Sequence, residues 1–507
     1  LIALLLGTAL GIAAPHDEAL RAALDTLYDG GTETALARFE ELQAASPDDP
    51  IPAYLAALAL AWKVEQRPER TDADDALQRQ AERAAAVAEA RLARRPDDAR
   101  ARLALGGSWG VRSRHALYRG ERRRAATTAL HMREELLRLT ERAGPDPDAG
   151  FGLGLYDYYA DVLPRMLKLL RLLVGKPGGD RRRGLAAIEA ARGATRFHDV
   201  EVEAQLHEIH AFYEACQDRA LEAVRRLRVR HPGSPLWGLK LAAHLRDRLG
   251  LYSESVAVYR ELEARSGAGH PNHAPVVAAM ARVGAGEALL LDLRLPEARA
   301  SLEAAAAGDP TAPWIAPRAR YLLGRTLELS GEREAALGHY RAALAAPESE
   351  LRAGAERALR RALGPAERRA ALLLAEARRA REAGRAREAA QVYRALLALV
   401  PSSREAQLRV AEDDLGDGRL EPARRVLVRL AREREPQPPW VRPWARVLLA
   451  ELHQRAGARA EAVLQYKKVW EEPGGLPELR ERAERGLKAA AAPPGDAPGR
   501  ARLFKIE

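Results

Sequence analysis

The sequence predicts an all-α fold, an α-solenoid of stacked antiparallel helix pairs. Three observations carry this expectation. The 507 residues are 47% hydrophobic but only 5% aromatic, so the interior is built from Ala and Leu, as helix-on-helix packing allows. Runs of β-branched and aromatic residues of strand length are nearly absent, which argues against a sheet. Finally, one pattern of small residue, aromatic, turn Gly and closing Pro recurs along the chain at spacings mostly in the thirties.

The most regular copy runs from Pro317 to Pro347. Leu323 and Gly324 sit mid-way along a first helix, Gly331 marks a turn, and Ala336, Tyr340 and Ala343 follow on a second helix. This is the tetratricopeptide arrangement of about 34 residues, with L-G, then A-x3-aromatic, then Pro. Small residues at Gly324 and Ala336 let the paired helices approach closely. One unit cannot bury its own apolar face, so the pattern demands neighbours.

The neighbours follow in order. After residues 1–14, helices near 17–29 and 32–46 carry Ala35, Phe39 and Pro47. A second unit opens at Pro52 with AYLAALALAWKV and continues near 73–94 to Pro96. Leu105-Gly106 with Trp109 starts a third, partnered by a helix near 121–143. Later frames are Ala220/Val224/Pro232, Ser255/Tyr259, Ala298/Leu302/Pro310, Ala389/Tyr393/Pro401, Ala423/Leu427/Pro436 and Ala462/Tyr466/Pro473. Gly331, Gly384, Gly418 and Gly457 stand at the turns, where a left-handed C-cap lets the chain reverse. Residues 349–362 supply an additional helix between Ala336 and Ala389. The predicted organisation is therefore a signal peptide over 1–14, helix pairs over 15–147, and an atypical segment over 148–216. An array over 217–476, a charged capping helix over 477–490 and a disordered tail over 491–507 complete it.

The opening residues LIALLLGTALGIAA form a short apolar run ending in a small-x-small pattern, as a signal-peptidase site does. They lack an initiating Met and a basic start, which reads as a truncated beginning. The expected compartment is periplasmic or secreted, with a cytoplasmic protein as the alternative. After the leader no stretch is long and apolar enough to span a bilayer. Cys216 is the only cysteine, so no internal disulfide and no Cys-based zinc site can form. A net charge of +10 invites nucleic acid, but only eight of the 81 basic residues are Lys. The Arg residues are interspersed with Glu and Asp along solvated helix faces, so no nucleic-acid partner is expected.

Residues 149–194 differ from the plain repeats. They contain the order L-P-x-x-L-K-L-L from Leu163 to Leu170 and G-x-x-G-G-D-R-x-x-G-L from Gly175 to Leu185. In this order the segment resembles the tetratricopeptide-repeat-39 and inclusion-body-clearance family. The resemblance implies a non-enzymatic adaptor. A phosphate-loop reading of GKPGGD fails because the frame G-x4-G-K-[ST] is absent. A helix–helix turn with Asp180 as N-cap is expected instead, and the apolar stretch 165–174 is expected to pack in the core.

Chemistry is sparse. His207 and His210 lie three apart with Glu203 one turn earlier and His198 nearby, a face that could hold a metal. The spacing H-E-I-H misses the H-E-x-x-H motif by one residue, and surface or inter-helix histidines are the expectation. His270 and His273, flanking Asn272, are read the same way. Neither a catalytic constellation nor a cofactor is expected. A partner-binding groove is. In such stacks the first helix of each pair lines the inner surface, and its solvent side offers Arg318, Tyr321, Arg325 and Glu328. The following units offer Leu374, Arg378 and Arg381, then Trp444, Glu451 and Arg455. An Arg-bearing groove with an occasional aromatic suits an acidic or extended protein or peptide segment. A C-terminal carboxylate clamp is disfavoured, because such clamps use inner-face Asn and Asn272 is the only Asn.

Overall fold

The computed structural model describes residues 15–162, 178–214, 216–345, 349–433, 436–471, 474 and 476–491. The leader at 1–14, the apolar stretch 165–174, Pro347, Pro473 and the tail 492–507 lie outside the described residues. Every regular element described is a helix, and the fold is the tetratricopeptide-like array of helix pairs that the repeat frame predicts.

Two compact units are present. The first comprises residues up to Glu208 together with Ala223–Trp237; the second comprises Ile209–Glu222 and the residues from Gly238 onward. The helices of the first are α1 Pro15–Tyr28, α2 Thr32–Ala45, α3 Ile51–Gln66, α4 Asp74–Arg94, α5 Ala99–Tyr118, α6 Arg122–Ala143, α7 Pro147–Val162 and α8 Arg181–Ala191. Then α9 Asp199–Phe212, α10 Gln217–Arg230 and α11 Pro235–His244 each carry residues of both. The second unit continues through α12 Tyr252–Gly267, α13 Pro275–Leu291, α14 Leu295–Ala305, α15 Ile315–Ser330, α16 Arg333–Ala343 and α17 Ser349–Arg360. It closes with α18 Pro365–Glu382, α19 Ala386–Leu399, α20 Arg404–Gly416, α21 Leu420–Arg432, α22 Val441–Arg455, α23 Arg459–Glu471 and α24 Pro477–Ala491.

In the first unit α3 is the centre. Its sequence is apolar on every face, and the residues from Ile51 to Trp62 are all buried. A helix hydrophobic all round must be enclosed; α1, α2, α4 and α5 pack on it, and Phe197, Val200, Ala204, Leu227 and Trp237 complete its surroundings. The sequence frame marked α3 as an ordinary first helix of a pair, and the structure gives it this larger task.

In the second unit the frame positions are the core. Ser255, Ala298, Ala336, Ala389, Ala423 and Ala462 are buried, as are Tyr259, Leu302, Tyr340, Tyr393, Leu427 and Tyr466 four residues on. The turn glycines Gly331, Gly384, Gly418 and Gly457 all hold positive φ, between 73° and 92°. Asp180 caps α8, its carboxylate accepting from the Arg183 N–H at 2.9 Å. Cys216 is half-buried, immediately before α10 rather than inside a helix.

Candidate functional site: the first-helix face of the second unit

Successive first helices in the second unit touch one another, α13 with α15 and α20 with α22 and then α24. No comparable contact joins successive second helices among the described residues, so the first helices form the more closely packed side of the array. Along this face runs a ladder of ion pairs between neighbouring repeats. Arg318 Nη2 donates to Glu287 at 2.8 Å, Arg381 Nη1 to Glu412 at 2.8 Å, and Arg482 Nη2 to Glu451 at 2.7 Å. Each pair spans 31 residues, one repeat. Arg378 makes a bidentate pair with Glu405, Nε to Oε1 at 3.0 Å and Nη2 to Oε2 at 2.7 Å. Planar forks of this kind fix orientation as well as charge.

The residues expected to meet a partner therefore divide. Arg325 is exposed, and Leu374 and Tyr321 are half-buried. Tyr321 leans on α17, where a Cβ at Gly354 would come within 2.8 Å of its hydroxyl. Arg318, Arg381 and Glu451 keep part of their surface open but are held by their repeat neighbours. Arg455 donates to the Leu415 carbonyl at 2.6 Å.

Glu328 is a correction. It is 7% exposed and points into the stack, accepting from Tyr340 Oη at 2.8 Å, from the Leu363 N–H at 3.1 Å and from Arg333. The reason is the frame tyrosine itself, whose buried hydroxyl needs an acceptor. Tyr393 does the same with Glu405 at 3.0 Å and Tyr466 with Gln454 at 3.0 Å, each twelve residues away. Arg378 is the second correction. Only 15% of its side chain is exposed; it also donates to the Leu291 carbonyl at 3.1 Å, lies 3.6 Å from Asp292, and stacks over Tyr252. It closes the unit on itself instead of facing a groove.

Trp444 is also buried, at 6%. Its indole is surrounded by the guanidinium groups of Arg409 at 4.7 Å, Arg482 at 5.5 Å and Arg381 at 5.6 Å, and its N–H donates to Glu412 at 3.3 Å. Burial would raise the Glu412 carboxyl, but Arg409 and Arg381 outweigh it and hold the group below the ordinary range. Arg409 differs from Arg378. Burial lowers its pKa, and Glu412 offsets this only in part, whereas Glu405 and Asp292 more than offset burial at Arg378.

The histidines form no metal face. His198 is buried with both ring nitrogens engaged: Nδ1 lies 2.6 Å from Asp148 and Nε2 meets the Tyr54 hydroxyl. It thus has no lone pair to offer a cation. Burial would lower the His198 pKa, but the Asp148 carboxylate reverses this and raises it. His207 and His210 are buried on α9 rather than on the surface. Among the described residues no group of His, Cys, Asp and Glu is arranged to hold a metal. Sequence reasoning missed this buried polar centre of the first unit, where Glu201 also accepts from Tyr28 at 3.3 Å, from Arg114 at 3.1 Å and from Trp62. The available signal was a Tyr and a Trp in the otherwise aliphatic run from Ile51 to Trp62.

An open cavity of about 830 Å³ in the first unit is lined by His16, Asp17, Asp48, Asp49, Arg91 and Arg100. Its charges are already matched, Arg100 bridging Asp49 and Asp17 at 2.7 Å each, and Arg91 meeting Asp98 at 2.6 Å.

No protein-family model and no curated protein matches the chain. Among solved structures, a tetratricopeptide repeat protein from Parabacteroides merdae is similar with a TM-score of 0.24 and 16% identity, over 58% of this chain and 99% of that one. The Cut9–Hcn1 hetero-tetramer of the APC/C gives 0.26 and 12%, over 94% and 97%. Superpositions this loose carry no argument, and the tetratricopeptide-like assignment stands on the helix pairs and buried frame residues of this chain. Of the stretch resembling the tetratricopeptide-repeat-39 family, Leu163–Leu170 lies outside the described residues.

Proposed function

We propose that the protein is a non-enzymatic scaffold that holds a protein or peptide partner on the first-helix face of its second unit. The observation that carries this reading is the ladder of part-exposed arginines, each already fixed by a carboxylate of a neighbouring repeat. Arg318 and Arg381 keep 36% of their side chains open, and Arg325 is exposed between them. Charges ordered before binding cost less entropy to use, which favours docking of an acidic, extended segment. No helix among the described residues is long and apolar enough to cross a membrane. The proposed compartment is periplasmic or secreted, on the strength of the apolar leader and the single cysteine; N-terminal sequencing of the native protein tests it by finding or missing cleavage near Ala14.

The binding face is tested by affinity capture with the full chain as bait. An Arg325→Glu, Arg381→Gln double variant with unchanged melting should lose a wild-type partner by about tenfold or more. Equal capture by both baits would remove this face from the proposal.

A further inference from the structure

Three contacts cross the second unit in a nested order. The Gly474 N–H donates to Asp218 at 3.0 Å. Gly250 lies against Trp440, where a Cβ would come within 3.3 Å of the indole. Arg378 donates to the Leu291 carbonyl at 3.1 Å and stacks over Tyr252. The outermost contact spans 256 residues and the innermost 87, with Gly250–Trp440 between them. Successive turns of one superhelix would meet at a constant separation. Nested separations instead join two arms, one ending at Asp292 and the other beginning at Arg378, with the chain doubling back between them. These rungs are thin: among the described residues no helix of one arm packs extensively on a helix of the other.

The innermost rung is also where closure meets the candidate binding face. Arg378 stands one turn before Arg381 on α18, and the α13–α14 turn covers it. That turn brings the carbonyl end of α13 and the Asp292 carboxylate to the face, the latter 3.6 Å from Arg378. Asp292 is poorly matched there. Burial raises its pKa despite Arg378, whose fork is taken by Glu405, and the nearby Glu382 pushes the same way.

We propose that the rungs form an autoinhibitory latch, in which the α13–α14 turn bars an acidic segment from the first-helix face at α18 until the arms part. The inhibition follows from charge. A helix C-terminus carries partial negative charge, and with Asp292 beside it the covering turn repels what Arg381 would attract. Opening carries both away, so an acidic segment binds the open form better, and this difference is what shifts the arms. The inference rests on the scaffold reading and supplies its regulation.

The test uses the full chain with spin labels at Ser253→Cys and Lys468→Cys, exposed positions on the two arms, in a Cys216→Ser background. Their separation is read by double electron–electron resonance. Saturating hexaglutamate should shift it to longer distances, and hexalysine at matched ionic strength should not. Tyr252→Ala with Asp218→Ala weakens two rungs without touching Arg325 or Arg381. This variant should populate the long distances unaided and bind hexaglutamate about tenfold more tightly, because the closed form no longer competes. A gain of affinity cannot come from unfolding. Hexaglutamate bound at an unchanged distance, a variant that stays closed, or an opened variant with unchanged affinity overturns the latch and leaves the scaffold standing. No binding by either protein removes the acidic partner, and the latch with it.

Discussion

At Leu293 the backbone does what a side chain resists. Its φ is +62°, the left-handed region, and it is the one non-glycine residue among those described to sit there. The turn it makes is the same as at the repeat glycines. The Arg294 N–H returns to the Leu289 carbonyl at 2.9 Å, as Glu332 does to Leu327 and Arg385 to Ala380, both at 2.8 Å. The α13–α14 turn thus takes a glycine geometry without the glycine, at a steric cost of about 1–2 kcal/mol. Glycine would add unfolded-state entropy of about 0.5–1 kcal/mol and lose the half-buried leucine contact. Leu293→Gly is therefore expected to stabilise the protein modestly, by up to about 1 kcal/mol, read as a higher urea midpoint at unchanged slope. A lower midpoint would mean that the leucine's packing outweighs the strain of its backbone.

Between elements, the closeness of the helix pairs is set by glycine meeting an aromatic ring. A Cβ placed on Gly284 of α13 would lie 2.3 Å from Tyr259 Cζ of α12, and one on Gly324 would lie 2.7 Å from the Tyr340 ring. Both rings are buried and cannot swing aside, so Gly284→Ala should cost about 1–3 kcal/mol through overpacking. Tyr259→Leu makes room, so the double variant should be more stable than the sum of the single losses by at least about 0.5 kcal/mol. Additive losses would show that the two residues are not coupled through this contact. Such local features explain what could be read in the sequence. A-x3-aromatic lies within one helix and the turn Gly stands only five residues before it, so the pairs, their order and their buried positions were legible. The destinations of the charges were not. Arg318, Arg381 and Arg482 find carboxylates 31 residues away, and Glu328 is claimed by Tyr340 twelve residues on. Helical phase within α15 places Glu328 on a stripe with Arg318 and Arg325, but only the neighbouring helix decides which end of that stripe is covered. A search for Arg–Glu pairs at the repeat length would have found much of the ladder.

A plain helix-pair array contacts only its neighbours and gains stability as a sum of local terms. The described residues of the second unit depart from this, and two hydrogen bonds show it. Arg378 reaches the Leu291 carbonyl across 87 residues, and the Gly474 N–H reaches Asp218 across 256 at 3.0 Å. Contacts of such range join the fate of distant repeats, and the first turns on the ionisation of Glu405. Burial would raise this carboxyl; Arg378, then Arg409 and the Tyr393 hydroxyl, outweigh burial and hold it below the ordinary range. Asp292 is a weaker partner, because burial raises its pKa despite Arg378 at 3.6 Å. A carboxyl depressed in the folded state contributes stability that is complete above its unfolded pKa of about 4.3 and is lost as pH falls through the folded value. Acidification below about pH 4 should therefore speed hydrogen exchange in residues 285–291 and 405–412 together, although they lie far apart in sequence. Arg378→Gln should produce the same coupled loss at neutral pH, weakening both segments by about 3–5 kcal/mol, because it leaves Glu405 buried and unmatched. If exchange rises only around Glu405 while 285–291 stays protected, the long-range bond does not carry the coupling. The second unit would then be a chain of neighbours after all, with Arg378 serving its own repeat alone.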